Sequence, residues 1–255
     1  MIKAAFIDID GTLLSHKTKC VPESARKALE YLRSKNVKVV ACTGRHIVEL
    51  EKLPLDGIIF DAYILVNGEL CLDQNKKMIF GNMVNDSKEI LKLFNEKNIP
   101  IEILDEDSTY INYVDEYVVK SLADISTPPP EIHEYKNKPF YQAVAFLTQD
   151  KQKSLENLLP NCQITRWCTN SVDINSKGAS KPRGIQQYID LMGIKLDETI
   201  SFGDGENDLE MIKYTKYSVA MGNGEDMVKK ASTYVTTDVD DDGIFNGVKF
   251  YSNLV

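Results

Sequence analysis

Four short polar clusters carry side chains that could do chemistry, and each follows an apolar run. The clusters are Asp8-Ile9-Asp10-Gly11-Thr12, Thr43-Gly44-Arg45, Asn67-Gly68 and Asp204-Gly205-Glu206-Asn207-Asp208. Together they supply carboxylates, hydroxyls, amides and glycines, and a glycine lets a ligand approach the backbone closely. A lysine, Lys181, opens a predicted helix before the last cluster. If the fold gathers these clusters, they form one polar site.

The chemistry of such a site follows from the groups that it would contain. Several carboxylates crowded together raise one another's pKa values unless a cation lies among them. Oxygen ligands favour a hard cation, Mg²⁺ before zinc. A threonine hydroxyl, backbone N–H groups after glycine and a lysine suit a phosphate group. Metal, phosphate and a spare carboxylate together indicate phosphoryl transfer, with the carboxylate as nucleophile.

The elements that precede these clusters predict where they lie. Residues 4–9, 37–42 and 62–66 are apolar runs typical of strands buried on both faces, and Pro22–Lys35 has helical spacing. The order strand, helix, strand implies a right-handed crossover and a parallel sheet. The same pattern returns after residue 181, with strands predicted at 199–202 and 218–221. Ligands bind outside the carboxyl ends of such strands, where the four clusters stand.

The middle of the chain has a different pattern. Two amphipathic helices, at 86–97 and 151–159, stand among short strands at 99–104, 109–114 and 142–148. Few crossover signals occur, which favours an antiparallel α+β insertion. We therefore predict an α/β protein with a Rossmann-like, doubly wound parallel-sheet core, residues 1–81 and 179–255. An inserted α+β cap domain, residues 82–178, would interrupt that core.

Composition limits the classes of partner. The 255 residues have a formal net charge of −8, which disfavours nucleic acid as a ligand. The five cysteines form no CxxC pair, so reduced thiols are expected rather than a disulfide frame or a zinc site. No apolar run approaches the roughly 20 residues that span a bilayer. We expect a cytoplasmic monomer or weak dimer that acts on a small molecule, with its three histidines at the surface.

The motifs resemble those of a known family. "DIDGTLL", "CTGR", "SK" and "GDGENDLEM" occur in the order found in the haloacid dehalogenase superfamily. The large insertion is similar to that of its Cof-type branch, the subfamily IIB sugar-phosphate phosphatases. The resemblance covers essentially the whole chain and is weakest in the insertion. It implies a Mg²⁺-dependent phosphatase that hydrolyses small phosphorylated metabolites, above all hexose or pentose phosphates, through an aspartyl-phosphate.

The resemblance also implies a role for each matching residue. Asp8 would attack phosphorus, and Asp10 would protonate the leaving alcohol and then activate water. Mg²⁺ would be held by the Asp8 side chain, the Asp10 main-chain carbonyl and Asp204. Asp208 would orient Lys181 or metal-bound water, and Thr12 would shape the loop. The implied phosphate-binding groups are the Ile9 N–H, Thr43, the Gly44 N–H, Lys181 and Asn207.

Contacts with the rest of the substrate are less specific in the sequence. The candidates are Arg45, Asn67, Gly68, Arg166, Trp167 and Asp173. Arg45 could equally form a structural ion pair, Asn67-Gly68 is a common turn, and Trp167 could pack in the core of the cap. Two alternative functions stay open at this point. They are a phosphosugar mutase on the same core and a catalytically silent protein that binds a phosphate ligand.

Overall fold

The computed structural model describes residues 1–124 and 127–255, with Asp124 described only in its backbone. The chain forms two compact units, one made of Met1–Phe80 and Ser180–Val255 and the other of Gly81–Ala179. The strands are β1 (Ala4–Ile7), β2 (Lys38–Cys42), β3 (Ala62–Leu65), β4 (Leu70–Asp73), β5 (Met78–Gly81), β6 (Ile101–Leu104), β7 (Thr109–Ile111), β8 (Glu131–Ile132), β9 (Gln142–Phe146), β10 (Cys162–Cys168), β11 (Ser171–Ser176), β12 (Thr199–Gly203), β13 (Tyr217–Ala220) and β14 (Tyr234–Val235). The helices are α1 (Glu23–Ser34), α2 (Ile47–Leu50), α3 (Ser87–Glu96), α4 (Glu116–Asp124), α5 (Gln149–Leu158), α6 (Lys181–Met192), α7 (Leu209–Tyr214), α8 (Asp226–Ala231) and α9 (Gly243–Phe250).

The first unit is built on a largely parallel sheet. Its strand order is β14-β13-β12-β1-β2-β3-β4-β5. The pairs from β14 through β3 are parallel, whereas β4 returns antiparallel to β3. Strand β1 lies at the centre, between β12 and β2, so the ends of these three strands are neighbours. The α/β class with a parallel-sheet core is confirmed.

Apolar side chains explain why these segments are strands. Strand β1 is buried at all four positions, as expected for a parallel strand that is covered on both faces. On one face, Phe6 and Ile64 pack with Ile185 and Tyr188 of α6. The Phe6 and Tyr188 rings meet edge to face at 6.1 Å. This packing fixes the start of α6, which carries Lys181, against the central strands.

The second unit has its own sheet and core. Its strand order is β10-β11-β9-β6-β7-β8, and every pair except β7–β8 is antiparallel. Alternate residues of β6, β9 and β11 pack with Ile90 and Phe94 of α3 and with Leu155 of α5. Helix α4 was missed in the sequence analysis, which expected two helices here. Its segment contains adjacent β-branched residues, Val118 and Val119, which lower helix propensity.

Strand ends differ from expectation in a way that matters for chemistry. The first predicted strand, 4–9, ends at Ile7, so Asp8 and Asp10 belong to the turn that follows it. In the described ranges, no helix combines the length and the apolar character needed to cross a membrane. All five cysteines are free thiols.

Candidate active site

A tight turn after β1 presents the first two carboxylates. The Leu13 and Leu14 N–H groups both donate to the Ile9 carbonyl, and the Gly11 N–H donates to the Leu14 carbonyl. Gly11 has φ +80°, and a Cβ there would lie 2.3 Å from Asp204 Oδ2. Only glycine allows both that backbone conformation and that close approach. The sequence therefore needs a glycine here so that the turn after β1 can touch the loop after β12.

Lys181 joins the turn to the rest of the site. Its Nζ donates to Asp8 Oδ1 at 2.7 Å and to Asp208 Oδ1 at 2.5 Å, and all three side chains are buried. The side chain of Ser180 caps α6 by accepting from the Arg183 N–H. This cap sets the point at which the helix begins, and so where Lys181 stands.

Two carboxylates share this one ammonium group, and the pKa shifts reflect it. Burial raises the pKa of Asp8 well above its usual range, and the charge of Asp208 raises it further, although Lys181 acts in the opposite direction. Burial by itself lowers the pKa of Lys181, but Asp208 and Asp8 outweigh it, so that the Lys181 pKa is raised. Lys181 thus stays an ammonium, and two carboxyl groups share its single positive charge.

Asp208 holds two parts of the site at once. One of its oxygens accepts from Lys181, and the other accepts from the Asp204 N–H at 3.0 Å and the Gly205 N–H at 3.1 Å. Gly203 makes room for it, since a Cβ there would lie 2.6 Å from the Asp208 Cβ. Asp208 therefore orients Lys181 and also shapes the loop that carries Asp204.

Three carboxylates approach closely enough to share a cation. One oxygen each from Asp8, Asp204 and Asp208 lie within 4.8 Å of one another. Burial raises the pKa of Asp204 to about 6, although the Thr12 hydroxyl donates to its Oδ1 at 2.7 Å. An all-oxygen set with unbalanced negative charge fits a hard divalent cation. Since both Asp208 oxygens already accept hydrogen bonds, Asp8 and Asp204 have the greater capacity to bind a cation.

The Asp10 carboxylate stands apart from this cluster and pairs with Arg45. Arg45 Nε donates to Asp10 Oδ2 at 2.6 Å, and Nη2 donates to Oδ1 at 3.0 Å. Burial lowers the pKa of Arg45, but the hydrogen bonds and charge of Asp10 outweigh it and the net pKa is raised. The structure thus shows Arg45 paired with the Asp10 carboxylate.

The predicted phosphate-binding loop follows β2 directly. Thr43 is buried, and its hydroxyl accepts from the Arg45 N–H at 3.1 Å. A Cβ on Gly44 would lie 3.1 Å from Asn67 Oδ1, so the Asn67 side chain packs on the Gly44 backbone. Asn207 lies in the same short loop as Asp204, with an exposed side chain. Ile9 is fully buried.

The Asn67-Gly68 turn supports two parts of the site. Val66, Asn67 and Gly68 have φ of 44°, 56° and 94°, a run that is unfavourable for a β-branched residue. The Val66 N–H donates to the Arg45 carbonyl, and the Asn67 N–H donates to the Thr43 carbonyl. On the other side, a Cβ at Gly68 would lie 2.2 Å from the Ser180 carbonyl oxygen. The turn therefore packs between the Thr43 loop and the start of α6.

The candidates in the second unit are placed differently. Arg166 Nη1 donates to the carbonyls of Leu147, Cys168 and Thr169, and its Nε donates to Gln152. Most of the guanidinium group therefore stabilises the structure of the second unit. Trp167 is half-buried, at an irregularity in the pairing of the edge strand β10, outside the core cluster of this unit. Asp173 is half-buried on β11, opposite Thr165 and Val144.

Sequence reasoning missed Asn223 and misplaced His46. Asn223 Nδ2 donates to the Gly11 carbonyl at 2.7 Å, and its Oδ1 accepts from the Val239 N–H, so it ties down the turn that carries Asp10. The signal was present, since Asn223 follows β13 just as the four clusters follow their strands. His46 was expected at the surface but is fully buried and caps the short helix α2.

Known proteins identify the family. The profile of the haloacid dehalogenase-like hydrolases matches residues 5–248, and the chain belongs to this family. It is 32% identical to YkrA of Bacillus subtilis over 252 residues, which is 97% of this chain and 96% of that protein. It is 25% identical to the pyridoxal phosphate phosphatase YbhA of Escherichia coli, over 98% and 97% of the two chains.

Solved structures agree with this assignment. BT4131, a sugar phosphatase of subclass IIB, superposes with a TM-score of 0.79 at 34% identity, over 99% of this chain and 100% of that one. BT1666 of Bacteroides thetaiotaomicron superposes with a TM-score of 0.86 at 27% identity, over 100% and 96%. The predicted family and enzyme class are confirmed: the protein is a hydrolase, a phosphatase of the haloacid dehalogenase superfamily and of its IIB subclass.

Proposed function

We propose that this phosphatase requires Mg²⁺ and hydrolyses sugar phosphates, of hexose or pentose size, through an aspartyl-phosphate on Asp8. The buried group of Asp8, Lys181 and Asp208, with Asp204 beside it, is the observation that carries the proposal. Similarity to the sugar phosphatase BT4131 supports the substrate class. Free thiols at every cysteine are compatible with a reducing compartment, and we place the protein in the cytoplasm.

The first half of the reaction forms the intermediate. Asp8 uses Oδ2 to attack phosphorus while Lys181 holds Oδ1. A bond forms between Asp8 and phosphorus, the bond from phosphorus to the sugar oxygen breaks, and Asp10 gives that oxygen a proton. Thr43, Asn207 and the N–H groups of Gly44 and Ile9 hold the phosphoryl oxygens in this proposal.

The second half regenerates the enzyme. Asp10 takes a proton from water as the water oxygen attacks phosphorus, and the bond between phosphorus and Asp8 breaks to release phosphate. Mg²⁺, when held by Asp8, Asp204 and the main-chain carbonyl of Asp10, would neutralise charge between the anionic nucleophile and the anionic substrate. Residues 82–178 form, in this proposal, the cap domain that selects the leaving group, with Trp167 and Asp173 as its candidate contacts.

Phosphate release from a panel of sugar phosphates, nucleotides and phosphorylated acids, with Mg²⁺ and with EDTA, tests the proposal. We expect Mg²⁺-dependent release that is fastest for sugar phosphates. Asp8→Asn should lower kcat by about 10⁴-fold or more, because it removes the nucleophile itself. The control is Asp190→Asn, an exposed carboxylate on α6, which should leave kcat unchanged. An isomeric sugar phosphate with little free phosphate would instead show a mutase, and a fully active Asp8→Asn protein would exclude the mechanism.

A further inference from the structure

The contact between Arg45 and Asp10 has a geometry that a simple charge pair does not require. Two different nitrogens of one guanidinium bond two different oxygens of one carboxylate, at 2.6 and 3.0 Å. A single contact lets a carboxylate rotate about its Cβ–Cγ bond. Two parallel contacts to a planar fork fix the plane of the carboxylate as well as its distance.

Burial does not fix Asp10, so another restraint is needed. The Asp10 side chain is 30% exposed, against 5% for Asp8. Within the part of the chain that the structure describes, Arg45 is the hydrogen-bond donor to the Asp10 carboxylate. Asp8, by contrast, is held by a fully buried lysine. The two carboxylates of the DxD motif are therefore restrained by different means. The orientation of the Asp10 carboxylate depends on one side chain, that of Arg45.

Arg45 is itself fixed at its backbone. Its N–H donates to the Thr43 hydroxyl at 3.1 Å, and its carbonyl accepts from the Val66 N–H at 3.2 Å. Val66 begins the left-handed turn described above, whose unfavourable backbone persists only where the surroundings hold it. Because its backbone is held in this way, the Arg45 side chain is suited to orient a neighbouring side chain.

We infer that Arg45 is a positioning residue that aims the Asp10 carboxylate for proton transfer, and that it does not bind the substrate phosphate. This inference rests on the proposed function, because Asp10 is there the group that protonates the leaving oxygen and later deprotonates water. The help that Asp10 gives in the first step depends on the leaving group. A sugar alkoxide needs a proton as it departs, whereas 4-nitrophenolate leaves without one.

The test compares these two leaving groups in Arg45→Met and Arg45→Lys. The substrates are the sugar phosphate that the wild-type protein hydrolyses fastest and 4-nitrophenyl phosphate. Since kcat/KM reports the steps up to formation of the aspartyl-phosphate, we expect Arg45→Met to lower it about 10²-fold for the sugar phosphate. For 4-nitrophenyl phosphate the loss should be below about threefold. An equal loss on both substrates would overturn the inference.

Arg45→Lys separates orientation from charge. Lysine keeps the positive charge but presents a point donor instead of a planar fork. If orientation is the role, Arg45→Lys should keep most of the defect toward the sugar phosphate. Full recovery by lysine would show that charge alone matters and would overturn the inference. Methylguanidinium added to Arg45→Ala should restore sugar-phosphate turnover at least several-fold, because it supplies the missing fork.

A double-mutant cycle shows whether Arg45 acts through Asp10. Asp10→Asn removes proton transfer, so Arg45→Met added to it should cost less than about threefold more in kcat/KM for the sugar phosphate. If instead the losses in kcat/KM of the two single variants multiply in the double variant, Arg45 acts independently of Asp10 and the inference is overturned. Binding of inorganic phosphate in the presence of Mg²⁺, measured by calorimetry, gives a readout apart from turnover. Its Kd should change less than about twofold in Arg45→Met, whereas a loss of tenfold or more would place Arg45 on the phosphate.

The second half of the reaction gives a further signature. With 4-nitrophenyl phosphate, Arg45→Met should form the intermediate normally but hydrolyse it slowly, so acid-quenched protein should carry an extra mass of about 80 Da on Asp8. No accumulation, with normal turnover, would contradict the role in water activation.

Arg33→Met is the matched control, since Arg33 is 30% exposed and pairs with Asp61 at 3.0 Å in the same unit. It should change neither readout. Wild-type protein that released no phosphate from any substrate would refute the proposed function itself, a result distinct from an active wild type with no leaving-group effect.

Discussion

The two units of this protein use their buried polar side chains in different ways. In the first unit, Lys181 donates to both Asp8 and Asp208, and Asp204 adds a further carboxylate. In the second unit, the buried Asn112 donates to the Phe94 and Ile99 carbonyls and accepts from the Ile101 N–H. In the first arrangement three carboxyl groups surround one ammonium group, whereas the hydrogen bonds of Asn112 all go to backbone groups.

This difference indicates what each unit can do for a ligand. Unbalanced negative charge in a buried cluster is unfavourable until a cation arrives, so the first unit is ready to bind one. A side chain whose donors already serve backbone carbonyls has little capacity left for a substrate. The Asp105 carboxylate likewise serves the backbone, since it accepts from the Asp107 and Ser108 N–H groups and stabilises a turn. Variants that remove one polar group from each unit test this difference.

The largest effect is expected from Lys181→Met. It leaves Asp8 and Asp208 buried side by side without their shared ammonium, which typically costs about 3–5 kcal/mol of folding free energy. Turnover should fall about 10³-fold or more, because Asp8 loses the group that orients it. Steady-state kinetics and urea unfolding measure the two effects. The control is Lys213→Met, an exposed lysine on α7, and a Lys181→Met protein with a tenth of wild-type turnover would contradict the comparison.

A smaller and different effect is expected from Arg166→Met. The change removes donors from the Leu147, Cys168 and Thr169 carbonyls and from Gln152, so it should destabilise the second unit by about 1–3 kcal/mol. Turnover at saturating substrate and KM should each change less than about threefold at a temperature where the variant is folded. Hydrogen exchange of the β9 and β10 amides should speed up in Arg166→Met.

The control for Arg166→Met is Lys153→Met, an exposed lysine on α5, which should leave exchange unchanged. A rise in KM of tenfold or more, with normal exchange, would assign Arg166 to the substrate instead. That result would contradict the proposed difference between the units, because a polar group of the second unit would then bind substrate.

Strand ends made the first unit predictable. Asp8, Thr43 and Asp204 each follow a parallel strand, and β12, β1 and β2 are neighbours, so their carboxyl ends bring these residues together. The sequence alone could not predict that Asp208 accepts hydrogen bonds both from Lys181 and from two backbone N–H groups. The choice of partners depends on side-chain conformation, which spacing along the chain does not encode.

The same limit explains the other surprises. Arg45 had two chemically reasonable partners, and spacing along the chain does not show that its side chain meets Asp10. Trp167 belongs to a strand whose pairing is irregular, and an irregularity re-aims a side chain without a mark in the hydrophobic pattern. Helix α4 is short, so its pattern was too brief to outweigh the β-branched residues in it.

The smallest effect tests whether buried charge in the first unit is costly away from the cluster. Glu69 is fully buried; its Oε1 accepts from Arg183 at 3.0 Å, and its Oε2 has no hydrogen-bond partner in the described ranges. Burial raises the pKa of Glu69 to about 7, although Arg183 lowers it. In unfolded protein the same carboxyl has a pKa near its usual value of about 4.3. Below that value both states are protonated, and the Glu69 carboxyl does not oppose folding.

As the pH rises toward 7, the folded protein holds this proton more tightly than the unfolded chain. The free energy of unfolding of the wild-type protein therefore falls over this range. Glu69→Gln cannot ionise, and its oxygen can still accept from Arg183. The melting temperature of Glu69→Gln minus that of wild type should therefore be higher at pH 8 than at pH 5, by a few degrees, about 2–4 °C for each kcal/mol. Melts at constant ionic strength, in EDTA, measure it, with the exposed Glu30→Gln as control. The same difference at both pH values would mean that Glu69 ionises in the fold without cost, and that only the cluster around Lys181 carries unfavourable charge.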